Sequence, residues 1–328
     1  MAKILVTGAA GHAGRFVAPA LLAAGHQVRG LFRTTPGDDP RIEWQQADLV
    51  KEQAYDSFLS GCDAVVHLAA ELHTTDLMDA VNVDATRRLA LQAAQHGVRY
   101  FGYASSIVVY GSPRRRFVDE SCPRLDPLVP LVSQYHAEPY MLQYARTKTA
   151  AEIALEQADV PTITDFYRPA VIVEPSDMLR AGDWSLPRKI FAGYRNTQFV
   201  TATDAAAAIG HLVHRGLEAS KQKRSRVEAY NIADETVLTF SSLFRTAYRA
   251  TGNPKFKVAL QVPVIMDIAK DFVYYRNKVL RYPLGMLTIS PGKLLATGFV
   301  VPLGVERALS DAIAALANRR AGSGPPGI

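Results

Sequence analysis

Two polar side chains, Tyr144 and Lys148, carry the clearest chemical signal in the sequence. Their spacing places them one turn apart on the same face of a predicted helix. A tyrosine has a reference pKa of about 10, so it exchanges its proton poorly at neutral pH. A neighbouring ammonium favours the phenolate and should lower that pKa, and a shift of ~3 units corresponds to ~4 kcal/mol. The pair is therefore predicted to act as a general acid and base, although an amphipathic helix can show this spacing without function.

Two serines follow the predicted strand at residues 100–104 and could take part in the same chemistry. The carboxyl ends of parallel strands form the usual ligand crevice of an α/β sheet. There the Ser106 hydroxyl could hydrogen-bond a substrate oxygen while Tyr144 exchanges its proton, as an oxyanion donor does. Ser105 has the simpler interpretation that it satisfies backbone groups. We therefore expect Ser106, Tyr144 and Lys148 at one rim of the sheet.

A glycine-rich loop follows the first predicted strand and opens the first predicted helix. Gly8 permits a tight turn, Gly11 lets a pyrophosphate approach the backbone, and Gly14 allows close packing beneath the helix. The N-terminus of the helix then favours the phosphate charge. Without this context the glycines would indicate only a turn. The loop predicts a dinucleotide cofactor held by Gly8, Ala10, Gly11, His12, Ala13 and Gly14.

The residue after the second predicted strand bears on which dinucleotide is bound. Many NAD-binding proteins offer a carboxylate to the ribose hydroxyls here, whereas this chain has Arg33. Because a guanidinium can hold a 2′-phosphate, NADP is favoured and NAD remains possible. A solvent-facing arginine is the alternative interpretation. Asp48 and Leu49 follow the third predicted strand and could contact the adenine, unless Asp48 only caps a helix beginning near Lys51.

The elements that must position these residues alternate between short apolar runs and longer helical patterns. This alternation is typical of a parallel sheet covered by helices, so the predicted fold class is α/β, doubly wound. Helical spacing ending at a glycine predicts helices over residues 15–24 and 77–95. The predicted strands cover residues 4–6, 27–32, 42–46, 64–68, 100–104 and 162–167.

Proline-punctuated, irregular sequence after Arg168-Pro169 indicates a smaller substrate lobe in the C-terminal half. We predict that residues 1–169 form the cofactor domain, to which residues 198–215 and 228–234 return. Residues 170–197 and 235–318 would form the interleaved lobe, and residues 319–328 a disordered tail.

Composition excludes several other classes of protein. The chain has 328 residues, a formal charge of +6 and two cysteines, which provide neither a disulfide framework nor a metal clip. Its basic residues are scattered and lack a nucleic-acid-binding module. We expect no membrane span, because charged residues interrupt every apolar stretch, and no secretory signal, because the apolar run follows Lys3 directly. A cytoplasmic protein acting on a small molecule fits these features.

Together these motifs resemble the extended short-chain dehydrogenase/reductase family, whose epimerase/dehydratase-like members have a Rossmann-type fold. The family's catalytic serine or threonine lies four residues before the tyrosine of its Tyr-Gly pair, a position that Ser106 holds here. Two residues depart from the family pattern, since Glu174 replaces a glycine and His12 an aromatic or aliphatic residue. The resemblance implies further cofactor contacts at Leu68, Ala69, Ala70, Asn82, Pro169 and Val171, beside Tyr144 and Lys148.

The resemblance leaves three functions open. We favour NADP(H)-dependent interconversion of a ketone and a secondary alcohol, because the apolar residues 258–266 and 272–287 resemble the substrate lobe of hydroxysteroid-type members. Buried core is an equally good explanation of those residues. A nucleotide-sugar epimerase using NAD(P) is the runner-up, although no diphosphate-binding stretch is evident. A cofactor sensor is disfavoured because the catalytic residues are present, and dehydration because Ile107-Val108 follows Ser106 in place of Asp-Glu. Relatives form dimers through helices equivalent to residues 77–95 and 144–157, which implies a possible homodimer.

Overall fold

Seven parallel strands form the central sheet of the computed structural model. The structure describes the whole chain except residues 136, 159, 161, 223–224, 259–264, 267–268, 270–280 and 323–328. With strands numbered along the chain, the order across the sheet is β10-β7-β5-β4-β1-β2-β3. These strands are β1 (Lys3–Thr7), β2 (Gln27–Phe32), β3 (Glu43–Gln46), β4 (Ala64–His67), β5 (Tyr100–Ala104), β7 (Ile163–Pro169) and β10 (Arg226–Ile232). The predicted doubly wound α/β fold is confirmed.

Apolar side chains lie on both faces of the sheet, so helices pack against both faces. In β1, Ile4 and Val6 pack into one core cluster, whereas Leu5 between them packs into another. Helices α1 (Gly14–Ala23) and α7 (Ala202–Ser220) contribute to the first cluster, and α4 (Thr86–Gln95) and α5 (Pro139–Gln157) to the second. The order in which strands are added to the sheet reverses between β1 and β4, which is where such sheets open a ligand crevice at their carboxyl edge.

Helix α1, Gly14–Ala23, begins and ends within one residue of the helix predicted over residues 15–24. Gly25, with a φ of +84°, follows the end of α1, where an L side chain would be strained. Helix α8 starts with a capping box between Thr239 and Ser242. The helices are α1 (Gly14–Ala23), α2 (Asp56–Leu59), α3 (Thr75–Asp79), α4 (Thr86–Gln95), α5 (Pro139–Gln157), α6 (Leu186–Ala192), α7 (Ala202–Ser220), α8 (Phe240–Thr251), α9 (Gly292–Leu295) and α10 (Val305–Gly322).

Two helix predictions need correction. The helix expected over residues 77–95 is interrupted by a π-helical segment, Ala80–Ala85, between α3 and α4. Buried Asn82 lies in this segment and exchanges hydrogen bonds with the backbone of Glu71, which supports the wider turn. No helix begins near Lys51; those residues form a turn, in which Asp48 accepts a hydrogen bond from the amide of Val50.

The C-terminal half contributes to both parts of the molecule. Helix α7 packs beside α1 and β7, while β10 extends the sheet. Two small parallel sheets pair β8 (Val171–Val173) with β9 (Phe199–Thr201) and β6 (Phe117–Val118) with β11 (Thr288–Ile289). A separate apolar core joins Met178, Phe244, Phe256 and Leu309. Helix α10 continues to Gly322, so the predicted tail boundary at residue 319 falls inside it, while residues 323–328 lie outside the described residues.

No helix in the described part of the chain is both long enough and apolar enough to cross a bilayer.

Burial of His67 gives a pH-dependent stability that can be tested. Desolvation lowers the pKa of the imidazole to about 3, while its unfolded value stays near the ordinary 6.5. Unfolding therefore takes up a proton between these values, and stability should fall as the pH drops from 6.5 towards 3. We expect urea unfolding to show a larger loss of stability between pH 7.5 and about 5 for the wild type than for His67→Gln.

The comparison isolates His67 because Asp165 acts in the opposite direction in both proteins. Burial raises the pKa of Asp165 to about 6, so its contribution to stability increases as the pH falls through that value. Equal pH-dependent losses in wild type and variant would contradict the assignment to His67.

Candidate active site

The three residues predicted to carry catalysis meet at the carboxyl end of β5. Ser106 caps the short 3-10 helix Ile107–Tyr110 that follows this strand, and Tyr144 and Lys148 lie on α5. The hydroxyl of Ser106 lies close enough to the Tyr144 phenol to act towards a lower pKa of that phenol. Lys148 donates to the carbonyl oxygen of Ala104 at 2.6 Å, and its Nζ lies 5.7 Å from the centre of the Tyr144 ring.

Burial dominates the electrostatics of this group. The side chain of Lys148 is almost fully buried; desolvation lowers its pKa to about 7, and the nearby charge of Glu152 opposes that shift. Desolvation also raises the pKa of Tyr144 to about 12, against the opposing effect of Ser106. Here desolvation outweighs the lowering of the tyrosine pKa that is expected from a neighbouring ammonium. Both shifts favour uncharged forms, because burial disfavours charge.

A buried ion pair that sequence reasoning missed holds α5 against the sheet. The carboxylate of Glu152 accepts two hydrogen bonds from Arg168 on β7, at 2.9 and 2.7 Å. Ser105 donates to the same carboxylate at 2.6 Å, so its partner is a side chain and not the backbone groups expected. Arg124 contacts it from the other side at 3.1 Å. The signal available in the sequence was a glutamate one turn after Lys148 on the same helix face.

Hydrogen bonds between buried side chains connect α5 to the neighbouring strands. Asn82 donates from its amide to the Thr147 hydroxyl at 3.1 Å, joining the π-helical segment to α5 beside Lys148. The ring nitrogens of His67 lie 2.6 Å from the Thr7 hydroxyl and 2.8 Å from that of Thr86. These contacts fix the floor of the site from β1, β4 and α4. The hydrogen bond from Asn82 to Thr147 helps to hold α5 in place, which the sequence motifs did not indicate.

The loop between β1 and α1 has the geometry that a dinucleotide phosphate requires. Gly8 has a φ of +66°, and a Cβ there would lie 2.9 Å from the amide nitrogen of Ala69. A Cβ on Gly14 would lie 2.1 Å from the Gly8 carbonyl oxygen. Within the described residues, the backbone amides of His12, Ala13 and Gly14 have no hydrogen-bond acceptor. Unpaired amides at the positive end of a helix fit a phosphate anion.

The remaining predicted cofactor contacts lie around this loop. Leu68 and Ala69 follow β4, and their amides donate to the backbone and side-chain oxygens of Thr7. Ala70 comes next along the same half-buried stretch. Pro169 ends β7, and Val171 on β8 is 48% exposed. Leu68, Ala69 and Ala70 therefore lie just beyond the carboxyl end of β4, and Pro169 lies at the carboxyl end of β7.

Arg33 and Asp48 differ in how freely they could meet a ligand. Arg33 is 68% exposed, and its guanidinium lies 3.8 Å from the carboxylate of Glu71. The backbone amide of Thr74 donates to Glu71 and lowers the pKa of that carboxyl, which keeps it charged. Asp48 accepts the amide of Val50 and lies 3.7 Å from the ammonium of Lys51, so its turn-capping role is observed. Leu49 is buried beside it.

The two departures from the family pattern contact the same loop. Glu174 forms an ion pair with Arg15 at the start of α1. His12 hydrogen-bonds the carbonyl oxygen of Ile172 on β8 through Nε2, at 3.1 Å. Both contacts connect the glycine loop to the segment after β8. Sequence reasoning treated these residues as separate local variants and missed their shared location.

One family model matches the part of the chain that carries the motifs. The model of the NAD dependent epimerase/dehydratase family matches residues 4–160, a segment that contains the glycine loop, Ser106, Tyr144 and Lys148. This segment is similar to that family, and the predicted resemblance is confirmed for residues 4–160.

Curated relatives of the chain have different activities. The chain is 29% identical over 205 residues to a 3 beta-hydroxysteroid dehydrogenase/Delta 5-->4-isomerase of Mycobacterium tuberculosis, covering 58% of this chain and 51% of the relative. It is 27% identical to N-acetyl-alpha-D-glucosaminyl-diphospho-ditrans,octacis-undecaprenol 4-epimerase of Escherichia coli, covering 74% of this chain and 70% of the relative. The chain spans about half the length of several curated relatives that it matches.

Solved structures support the fold. A short-chain dehydrogenase/reductase superfamily protein from Agrobacterium tumefaciens, with bound NAD, matches with a TM-score of 0.73 and 22% identity, covering 98% of each chain. At this identity the match shows the fold alone.

Replacement of Tyr144 tests the assigned acid and base. Tyr144→Phe removes one hydroxyl, so turnover should fall by about 10²–10⁴-fold, the usual contribution of general acid–base catalysis. NADPH binding and thermal stability should change little. Steady-state kinetics, calorimetry and thermal unfolding measure the three quantities.

Two further variants control this experiment. Tyr140→Phe alters an exposed tyrosine on the same helix and should retain turnover. Lys148→Met should reduce both turnover and cofactor binding, because it removes the buried ammonium. Wild-type turnover by Tyr144→Phe would show that another group transfers the proton.

Proposed function

We propose that this protein is an NADP(H)-dependent oxidoreductase that interconverts a ketone and a secondary alcohol on a fairly apolar small molecule. The observation that supports this proposal most directly is the meeting of Ser106, Tyr144 and buried Lys148 at the carboxyl end of β5. This group lies at the same edge of the sheet as the unpaired amides of the glycine loop. A cofactor on that loop and a substrate on Ser106 would therefore be neighbours.

Each catalytic side chain has a defined role in the proposed reaction. The Ser106 hydroxyl holds the substrate oxygen, and the Tyr144 phenol gives its proton to that oxygen during reduction or receives it during oxidation. Lys148 supports the phenolate that forms on Tyr144 and would also contact the cofactor ribose. The nicotinamide, when bound, supplies or accepts the hydride. Burial excludes water from the proton transfer.

The surroundings of Tyr144 support an apolar substrate. Its ring belongs to a cluster with Val108 and Met141, to which Leu284 from the C-terminal lobe also contributes. The apolar residues 258–266 and 272–287 that suggested such a substrate lie mostly outside the described residues. The described contact of Leu284 therefore carries this part of the proposal.

The preference for NADP rests on Arg33. Its exposed guanidinium follows β2, where a 2′-phosphate of the adenosine ribose would lie. Glu71 beside it has the opposite charge and would compete with that phosphate. We therefore propose NADP as the preferred cofactor, with a preference that Glu71 limits.

Binding measurements on two variants test this preference. Arg33→Ala should weaken NADPH binding by about 1.5 kcal/mol, the lower end for hydrogen bonds to charged groups, because the side chain is exposed. NADH binding should change less. Glu71→Gln removes the competing charge and should strengthen NADPH binding relative to NADH. Calorimetry that finds equal wild-type affinities for the two cofactors would contradict the NADP assignment.

Nucleotide-sugar epimerisation is the second candidate. The match to the Escherichia coli epimerase extends over 74% of this chain, farther than the match to the hydroxysteroid dehydrogenase. The same serine, tyrosine and lysine could serve this reaction, in which the cofactor is not consumed. The occupant of the lobe distinguishes the two candidates.

A homodimer is also proposed, through the helices whose equivalents pair in the family. Tyr140 on α5 and Leu77 on α3 are large exposed apolar residues on those helices. Analytical ultracentrifugation measures the assembly directly. A concentration-independent monomer would contradict the proposal.

A substrate panel tests the reaction class. In an apolar pocket each buried methylene contributes ~0.8 kcal/mol, so catalytic efficiency should rise along a homologous ketone series until the cavity is filled. NADPH oxidation is measured with ketones and with UDP-, GDP- and dTDP-sugars, and epimerisation is followed by chromatography. Epimerised sugar without net NADPH consumption, with all ketones inert, would support the epimerase instead.

A further inference from the structure

A cavity of about 450 Å³ is lined mainly by the segment that connects Ser106 to Tyr144, together with Arg281. This volume falls within the range of small-molecule sites. Neither Ser106 nor Tyr144 nor Lys148 lines it, so it is distinct from the candidate active site. Its walls combine four guanidinium groups with apolar side chains, a combination that neither the fold nor the proposed reaction requires.

Two of the four arginines are already neutralised. Arg124 pairs with Glu152 and Glu156, and Arg115 pairs with Asp119. These arginines are held by the fold. Their positive charges are balanced by these carboxylates.

The other two arginines lack a carboxylate partner within the described residues. Arg281 donates to the carbonyl oxygen of Ser112 at 3.0 Å, and Arg114 is exposed. Both arginines line the cavity, and burial together with the positive charge of Arg114 lowers the pKa of Arg281. The one carboxylate in the lining, Asp126, accepts the amide of Leu128 at 2.8 Å. An anion between Arg114 and Arg281 would offset their positive charges.

Apolar side chains form another part of the cavity wall. Buried Leu125 and exposed Val129 line it. The loop that carries Val129 also exposes Leu128 and Val132, with exposed fractions of 91% and 62%. The loop that leads away from Val129 therefore presents aliphatic side chains to solvent.

We propose that this cavity binds a single-chain amphiphilic anion. Its phosphate or carboxylate head would lie between Arg114 and Arg281, and its hydrocarbon chain would run over Leu125 and Val129 towards the exposed loop. A small inorganic anion would leave the apolar wall in contact with water. An uncharged chain would leave the two cations unpaired. The site is independent of the proposed oxidoreductase reaction, because none of the three catalytic residues lines it.

Calorimetry with the full chain and decyl phosphate below its micellar concentration tests the site. We expect one molecule bound per chain, with decanol and inorganic phosphate each bound at least about tenfold more weakly, since each lacks one half of the interaction. Arg114→Ala should weaken decyl phosphate binding by about tenfold, as expected for the loss of a charge-assisted contact. Because Arg114 is exposed, this substitution leaves the fold contacts in place.

Matched variants separate the site from general charge effects. Arg249→Ala removes an exposed arginine on α8, outside the cavity, and should leave decyl phosphate binding unchanged. Val129→Asn should weaken decyl phosphate but not inorganic phosphate. Equal binding of decyl phosphate by wild type and Arg114→Ala, or equal affinity for decanol and decyl phosphate, would overturn the proposal.

Vesicles distinguish the two sources of such an anion. Sedimentation with phosphatidylglycerol vesicles that fails with Arg114→Ala would assign the site to a lipid head group at a membrane surface. Binding of decyl phosphate without sedimentation would assign it to a soluble acyl or alkyl anion. Both results require the cavity to bind the monomeric amphiphile in calorimetry.

Discussion

The candidate active site depends on the burial of one ammonium group, that of Lys148. Only 1% of its surface is exposed, and it donates a hydrogen bond to the carbonyl oxygen of Ala104 at the end of β5. A charge in such a position is costly unless neighbouring groups compensate it, which is why its pKa falls to about 7. The same burial raises the pKa of Tyr144 to about 12. Burial therefore favours the uncharged form of both side chains, and above pH 7 the neutral amine of Lys148 predominates.

The surrounding structure holds α5 in the position that this burial requires. The ion pair of Glu152 and Arg168 joins α5 to β7. Removing one partner of such a buried pair usually costs more than the pair contributes, because the other charge is left uncompensated. On the other side, Asn82 joins α5 to the π-helical segment. Helix, strand and π-helix thus fix the distance between Lys148 and the end of β5.

The sequence predicted the sheet well because buried parallel strands are short apolar runs separated by helical spacing. It also brought Ser106, Tyr144 and Lys148 to one rim, since strand ends share an edge. It missed what depends on tertiary contacts. The π-helical turn at Asn82 follows from hydrogen bonds to Glu71, and the direction of the Tyr144 pKa shift follows from desolvation, neither of which has a local sequence signal. The ion pair of Arg33 with Glu71 likewise joins two loops far apart in the chain.

The pKa of Tyr144 in the presence and absence of NADP⁺ tests the central claim most directly. Because the chain has 14 tyrosines, ultraviolet titration of the wild type must be compared with that of Tyr144→Phe. The account predicts a phenol that titrates at about 12 without cofactor and below the ordinary value of about 10 with NADP⁺ bound. In Lys148→Met the downward shift should be largely lost. A Tyr144 pKa that NADP⁺ does not change, or that falls equally without Lys148, would contradict the account.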